Sequence, residues 1–193
     1  MEKIPTQLDG ATNVLLEEPS IGGGRDVCTS LLVDASAPNV LFVSFTRQAS
    51  ACVEQLDGKS VDNVGVITVG DGSAAVEDET VTTETVSTPN DLTGLGITIG
   101  QFLSEFDGRV LVCFDSLTSM LQYVDVPTTY EFLHAISGQI HAAGARAHFH
   151  IDPNAHSDQD VSALASLFDA RVSLGDGEPD IQSRELLESG LSF

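Results

Sequence analysis

Lysine is all but missing from this sequence. Only Lys3 and Lys59 occur, and with the arginines they make 8 cations against 29 acidic residues, a formal net charge of −21. A chain so poor in cations, with no basic run, has little with which to neutralise a phosphate backbone, so direct nucleic-acid binding is not expected. No apolar run approaches the ~20 residues that span a bilayer, and the opening Met1-Glu2-Lys3-Ile4-Pro5 does not read as a signal peptide. Neither a membrane protein nor a secreted one is expected. The three cysteines, Cys28, Cys52 and Cys113, lie far apart with no C-x-x-C pair, which speaks against a local zinc knuckle or redox motif. They read as small buried hydrophobes suited to a reducing cytoplasm. A G-x-S-x-G nucleophile elbow and a G-x-G-x-x-G dinucleotide fingerprint are both missing.

What is present is ample apolar material. Hydrophobic residues make up 41% of the chain, enough for a packed core and too much for a disordered segment. A length of 193 residues suits one domain. The acidic surface repels itself unless salt screens it. The Debye length falls from about 8 Å at physiological salt to about 3 Å at 1 M. The composition therefore reads as that of a halophile's cytoplasmic protein, the alternative being an acidic protein of a mesophile.

Apolar runs rich in β-branched residues alternate with helical spacing. Asn13-Val14-Leu15-Leu16 is a first strand, followed by a glycine loop and a helix carrying Cys28, Leu31, Leu32 and Ala35 at i, i+3, i+4 and i+7. Residues 40–45 read as a fully buried strand, and Ala49, Cys52, Val53 and Leu56 mark the next helix. Residues 64–69 give a third strand and 80–86 an edge strand. Leu92, Leu95, Ile99, Phe102, Leu103 and Phe106 mark a helix, and 110–114 a strand ending in Asp115-Ser116. Thr128-x-x-Glu131 reads as a capping box opening a helix that ends near Gly144. A strand over 145–152, a helix capped by Ser157 and a strand over 170–174 follow, then a polar, indistinct tail from Asp176. Such alternation implies βαβ units and a three-layer α/β/α domain around a central, mainly parallel sheet. The whole chain, 1–193, reads as a single domain, with its core over roughly 12–175 and the tail beyond.

Ligands of open parallel sheets sit beyond the carboxyl ends of the strands. Beyond the first strand lies Glu17-Glu18-Pro19-Ser20-Ile21-Gly22-Gly23-Gly24-Arg25-Asp26. A phosphate-binding P-loop there would read G-x-x-x-x-G-K-[ST]. Aligned on Gly24, Pro19 stands for the first glycine, Arg25 for the lysine and Asp26 for the Ser/Thr. Beyond the fourth buried strand, Asp115-Ser116-Leu117-Thr118 has the form of a Walker B end, where a carboxylate holds magnesium.

Together with Leu41-Phe42-Val43-Ser44-Phe45, these segments make the chain resemble the RecA/KaiC family of P-loop ATPases. More narrowly it is similar to KaiC-like proteins of halophilic archaea, through the glycine loop, Asp-Leu-Thr-Gly-Leu-Gly-Ile at 91–97 and His-Phe-His-Ile-Asp-Pro at 148–153. The resemblance implies a RecA-like fold. If nucleotide binding is kept, it implies ATP with magnesium on Gly22, Gly23, Gly24, Arg25, Asp26, Asp115, Ser116 and Asp152. It also exposes losses. The family's glutamate pair after the second strand is replaced by Thr46 and Arg47, and the P-loop lysine and hydroxyl by Arg25 and Asp26.

The substitutions have physical consequences. A carboxylate about 4 Å from a phosphate charge costs about 4 kcal/mol at an effective dielectric of 20, unless a bridging magnesium cancels it. At the start of a helix, Asp26 is equally explained as a stabilising anion. His148, His150 and Asp152 alternate along one strand and so face one side, a set that invites a divalent metal, a ligand sensor or plain structure. The resemblance puts their strand between the glycine-loop strand and the Asp115 strand.

The leading expectation is a degenerate P-loop protein without efficient ATP hydrolysis, acting on a protein partner in regulation. The alternatives are an ATPase with a non-standard P-loop and a metal-binding protein built on His148, His150 and Asp152. The ring-forming habit of RecA-like proteins leaves a homo-oligomer open.

Overall fold

The computed structural model describes residues 7–19, 24–33, 39–71, 76–175 and 177–183. In chain order the elements are β1 (Asn13–Glu17), α1 (Gly24–Leu32), β2 (Asn39–Ser44), α2 (Ala49–Glu54), β3 (Val64–Val69), β4 (Val81–Val86), α3 (Leu92–Glu105) and β5 (Val110–Asp115). There follow α4 (Leu117–Met120), α5 (Val126–Ala142), β6 (Arg146–Ile151), a 3-10 turn (Pro153–Ala155), α6 (Asp158–Ala165), β7 (Ala170–Ser173) and β8 (Asp180–Ser183). The strands form one sheet in the order β4-β3-β2-β5-β6-β1-β7-β8, parallel except for the β7–β8 pair.

The near-continuous apolar strands are explained by cover on both faces. On one face, Leu15, Leu41, Val43, Ile67, Val112, Phe114 and Phe149 pack against residues of α3, α5 and α6. On the other, Val14, Leu16, Val40, Phe42, Val66, Leu111 and Cys113 pack against α1 and α2. Alternation along each strand assigns side chains to these layers, so His148 and His150 lie opposite Ala147, Phe149 and Ile151.

Three expectations need correction. The α5 helix opens at Val126, with Asp125 as its N-cap accepting from the Thr128 N–H at 2.9 Å; Thr128 lies inside the first turn. Pro127 fits there because a first-turn residue has no helical N–H partner to lose. The segment after Asp176 is not wholly indistinct: β8 adds an antiparallel edge strand on β7, half-buried at Ile181. Asp152 is not a strand residue, since β6 stops at Ile151 and the Asp152 side chain accepts from Asn154 N–H at 2.9 Å to open the 3-10 turn. The strand over 80–86 forms as an edge strand, and β6 lies between β1 and β5 as the resemblance implied.

Candidate functional site

The carboxyl ends of β1, β2, β5 and β6 are neighbours across the sheet centre, and a cleft of about 380 Å³ opens beyond them. It brings together Arg25 from the first turn of α1, Asp115 and Ser116 from the end of β5, and Asp152 after β6. Gly22 and Gly23 lie outside the described residues. Asp26 is exposed and lies on a separate groove with Lys59 and Glu54, between α1 and α2.

The carboxylate that fills the start of α1 is Glu18. A Cβ added to Gly24 would overlap the Glu18 carboxyl group, so glycine at this position leaves the room that Glu18 takes. Glu18 is held there by His150, whose Nδ1 is 2.7 Å from Oε1. Its own N–H donates to Ile151 O at 2.9 Å, which ties β1 to the end of β6. Asp26 lies in the first turn of α1, where a carboxylate stabilises the helix, and Glu18 brings a second carboxylate to the same end from the strand side.

Asp115 also has an internal partner. Arg47 Nε lies 2.9 Å from Asp115 Oδ2, an ion pair whose N–H is not aligned as a hydrogen bond. Each side chain is about one-fifth exposed, at 19% and 20%. The Arg47 loop is fixed by its N–H donating to Ser44 Oγ at 2.8 Å, and the guanidinium lies 5.8 Å over the Phe42 ring. Arg47 Nη1 also donates to Gln55 Oε1, and Gln55 Nε2 passes contact on to Cys28 Sγ at 3.2 Å and Thr29 Oγ1 at 3.1 Å. Ser116 caps α4 through the Ser119 N–H. The Asp115–Ser116 peptide is cis. Thr118 Oγ1 accepts the Asp152 N–H at 2.8 Å and lies 3.1 Å from His156 Nε2.

Beneath the cleft four buried side chains converge: Cys28 from α1, Cys113 from β5, and His148 and His150 from β6. Their donor atoms all lie within 4.8 Å of one another. Cys28 Sγ is 3.6 Å from Cys113 Sγ and 3.2 Å from His148 Nε2, while Cys113 Sγ is 3.4 Å from His150 Nε2. The contact with Cys113 holds the Cys28 thiol well below its usual range, against the effect of burial and with help from His148. Burial pushes Cys113 well up. Burial would lower His150, but its contacts with Cys28 and Glu18 win and raise it to about 10. Asp152 is not part of this group, so the expected His148, His150 and Asp152 set is replaced by one containing two cysteines.

Sequence reasoning missed Glu18, Gln55 and the two cysteines as site residues. The cysteines are 85 residues apart and carry no local spacing signal. What could have found them was the alternation of β6 combined with its place beside β5, which puts His148 opposite Cys113 in register.

Residues 11–174 match the profile of a family of unknown function (DUF7504), and the chain belongs to that family. No curated protein matches its sequence significantly. Among solved structures it is similar to Project ID PH0250 from Pyrococcus horikoshii OT3, with 14% identity, a TM-score of 0.64, and 89% of this chain and 86% of that one covered. It is also similar to the flagellar accessory protein FlaH from Methanocaldococcus jannaschii, with 11% identity, a TM-score of 0.56, and 88% and 75% covered. The fold is RecA-like, with α/β character and a mostly parallel sheet.

Proposed function

We propose that this member of the family is a degenerate RecA/KaiC-like P-loop protein that does not hydrolyse ATP efficiently and works by binding a protein partner in regulation. The observation that carries the reading is the Arg47–Asp115 ion pair. In an ATPase of this form the strand-end carboxylate would hold magnesium; here a fixed guanidinium takes that place. Glu18 adds to the case, because its carboxyl group lies where the glycine loop meets α1 and a phosphate would have to displace it from His150. The side chains present therefore do not suit magnesium-ATP. Within the cleft Arg47 is matched with Asp115 and His150 with Glu18, so among its described residues Arg25 is the further cation that a triphosphate would meet, while Asp152 adds another carboxylate.

The charge of −21 supports work in a salt-loaded cytoplasm, where screening relieves the self-repulsion. It also supports a partner other than nucleic acid.

The test is a thermal-shift titration with magnesium-ATP in molar KCl. A ligand that binds the native state stabilises it by RT ln(1 + [L]/Kd), about 2.7 kcal/mol at a hundredfold excess over Kd. The expected result is no saturable shift. A saturable shift accompanied by phosphate release that Asp115→Asn abolishes would overturn the reading in favour of an ATPase with a non-standard P-loop.

A further inference from the structure

The geometry points to a buried zinc site formed by Cys28, Cys113, His148 and His150, at the floor of the cleft between α1, β5 and β6. Two sulfurs and two imidazole nitrogens are a ligand set that zinc takes in tetrahedral form. With Zn–S about 2.3 Å and Zn–N about 2.0 Å, a tetrahedron places its donors about 3.3–3.8 Å apart. Three of the donor pairs here stand at 3.6, 3.4 and 3.2 Å. The widest separation, within 4.8 Å, asks for an inward movement of about 1 Å on loading.

The surroundings match what a metal centre needs. A ligating histidine usually gives its second ring nitrogen to a carboxylate, which fixes the tautomer and ring orientation. His150 turns Nε2 to the cluster and Nδ1 to Glu18. A ligating thiolate is steadied by an N–H donor, and Gln55 Nε2 lies 3.2 Å from Cys28 Sγ. Two thiolates and two neutral imidazoles around Zn²⁺ sum to zero charge, which makes full burial tolerable. Cys28 and His150 also line the cleft, so an ion has a way in. Four protein ligands leave no open position, so the metal is structural: it ties α1 to the two central strands and adds no hydrolytic chemistry. Loading releases the thiol protons and any proton on the histidines to solvent.

The inference stands apart from the nucleotide reading, because metal content and ATP response are measured separately. The experiment uses the full chain purified without a histidine tag. Elemental analysis should give about one zinc per chain. Protein stripped with a chelator and titrated with Co²⁺ should show tetrahedral d–d bands and thiolate-to-cobalt charge transfer, both removed by zinc. Cys28→Ser with Cys113→Ser should abolish the charge-transfer band, while Cys52→Ser and Asp152→Asn leave it in place. Should the double variant fail to fold, the wild-type cobalt spectrum still decides. The inference is overturned if stripped, folded wild-type protein takes up neither zinc nor cobalt. It is equally overturned if the cobalt spectrum lacks thiolate bands, or if a folded double variant keeps its metal.

Discussion

Arg47 and Asp115 meet at the ends of two paired strands, with Ser44 of β2 in register with Asp115 and the guanidinium folded back over the carboxylate at 2.9 Å. The pair is neither fully buried nor freely solvated, so its value lies between the 0–1 kcal/mol of surface pairs and the 3–5 kcal/mol lost when a buried pair is broken. Arg47→Met should lower unfolding stability by about 1–3 kcal/mol, measured by urea denaturation in molar KCl. Asp115→Asn should cost less in the Arg47→Met background than alone. Additive losses in that double-mutant cycle would show that the two side chains do not interact.

Gly24 and Glu18 give a second prediction. Adding a methyl group at Gly24 pushes the Glu18 carboxylate away and breaks its contact with His150. Gly24→Ala should therefore destabilise the protein by about 1–2 kcal/mol. In a Glu18→Ala background the same change removes nothing and gains about 0.4–1 kcal/mol from the lower backbone entropy of the unfolded chain. A sign reversal between backgrounds is the expected result. Loss of stability in both would place the role of Gly24 in the loop itself and not in making room for Glu18.

The sheet is readable because β1, β2, β3 and β5 are near-continuous apolar runs, and fully buried parallel strands leave that trace whatever their neighbours. β8 is not, because Asp-Ile-Gln-Ser pairs along only one edge and buries little. Of the residues that line the cleft, Arg25, Asp115, Ser116 and Asp152 are legible in the sequence because they follow strand ends, where ligand sites lie in this class of fold. Arg47 was noticed as a replacement for a catalytic acid, but its partner depends on side-chain reach across two strands, which sequence spacing does not encode. The Cys28–Cys113–His148–His150 group failed for the same reason. The cysteines are buried as their apolar surroundings imply, but local spacing carries no sign of a grouping that strand order brings about.

A third prediction concerns the side of β1 that faces β7. Glu17 is buried at 6% exposure, and its carboxylate accepts from Arg171 Nε at 3.1 Å and Ser173 Oγ at 2.8 Å. Arg171→Leu leaves that charge with the serine as its remaining partner in this group and should cost about 2–4 kcal/mol by urea denaturation. Replacing both, Glu17→Leu with Arg171→Leu, should recover most of the loss, since the carboxylate then no longer needs solvation. If the double variant is as unstable as Arg171→Leu, packing by the arginine stem and not the charge is what β7 requires.

Gly65 and Gly58 separate two reasons for glycine. Gly65 lies in β3 opposite Leu41, and a Cβ there would stand 2.7 Å from two Phe102 ring carbons and 3.0 Å from Leu41 Cδ1. Helix α3 packs so closely on β3 at this point that Gly65→Ala overfills the layer, at a cost of about 1–3 kcal/mol. Gly58 has open space around it but a φ of +74°, so Gly58→Ala suffers from backbone conformation alone, by about 1 kcal/mol. Trimming the ring distinguishes the cases. Phe102→Leu should absorb part of the Gly65→Ala penalty and none of the Gly58→Ala penalty, as judged by urea midpoints of the three single and two double variants. Equal penalties with and without the ring would mean that Gly65 is needed for strand conformation, and that the close approach of α3 to the sheet is not what selects it.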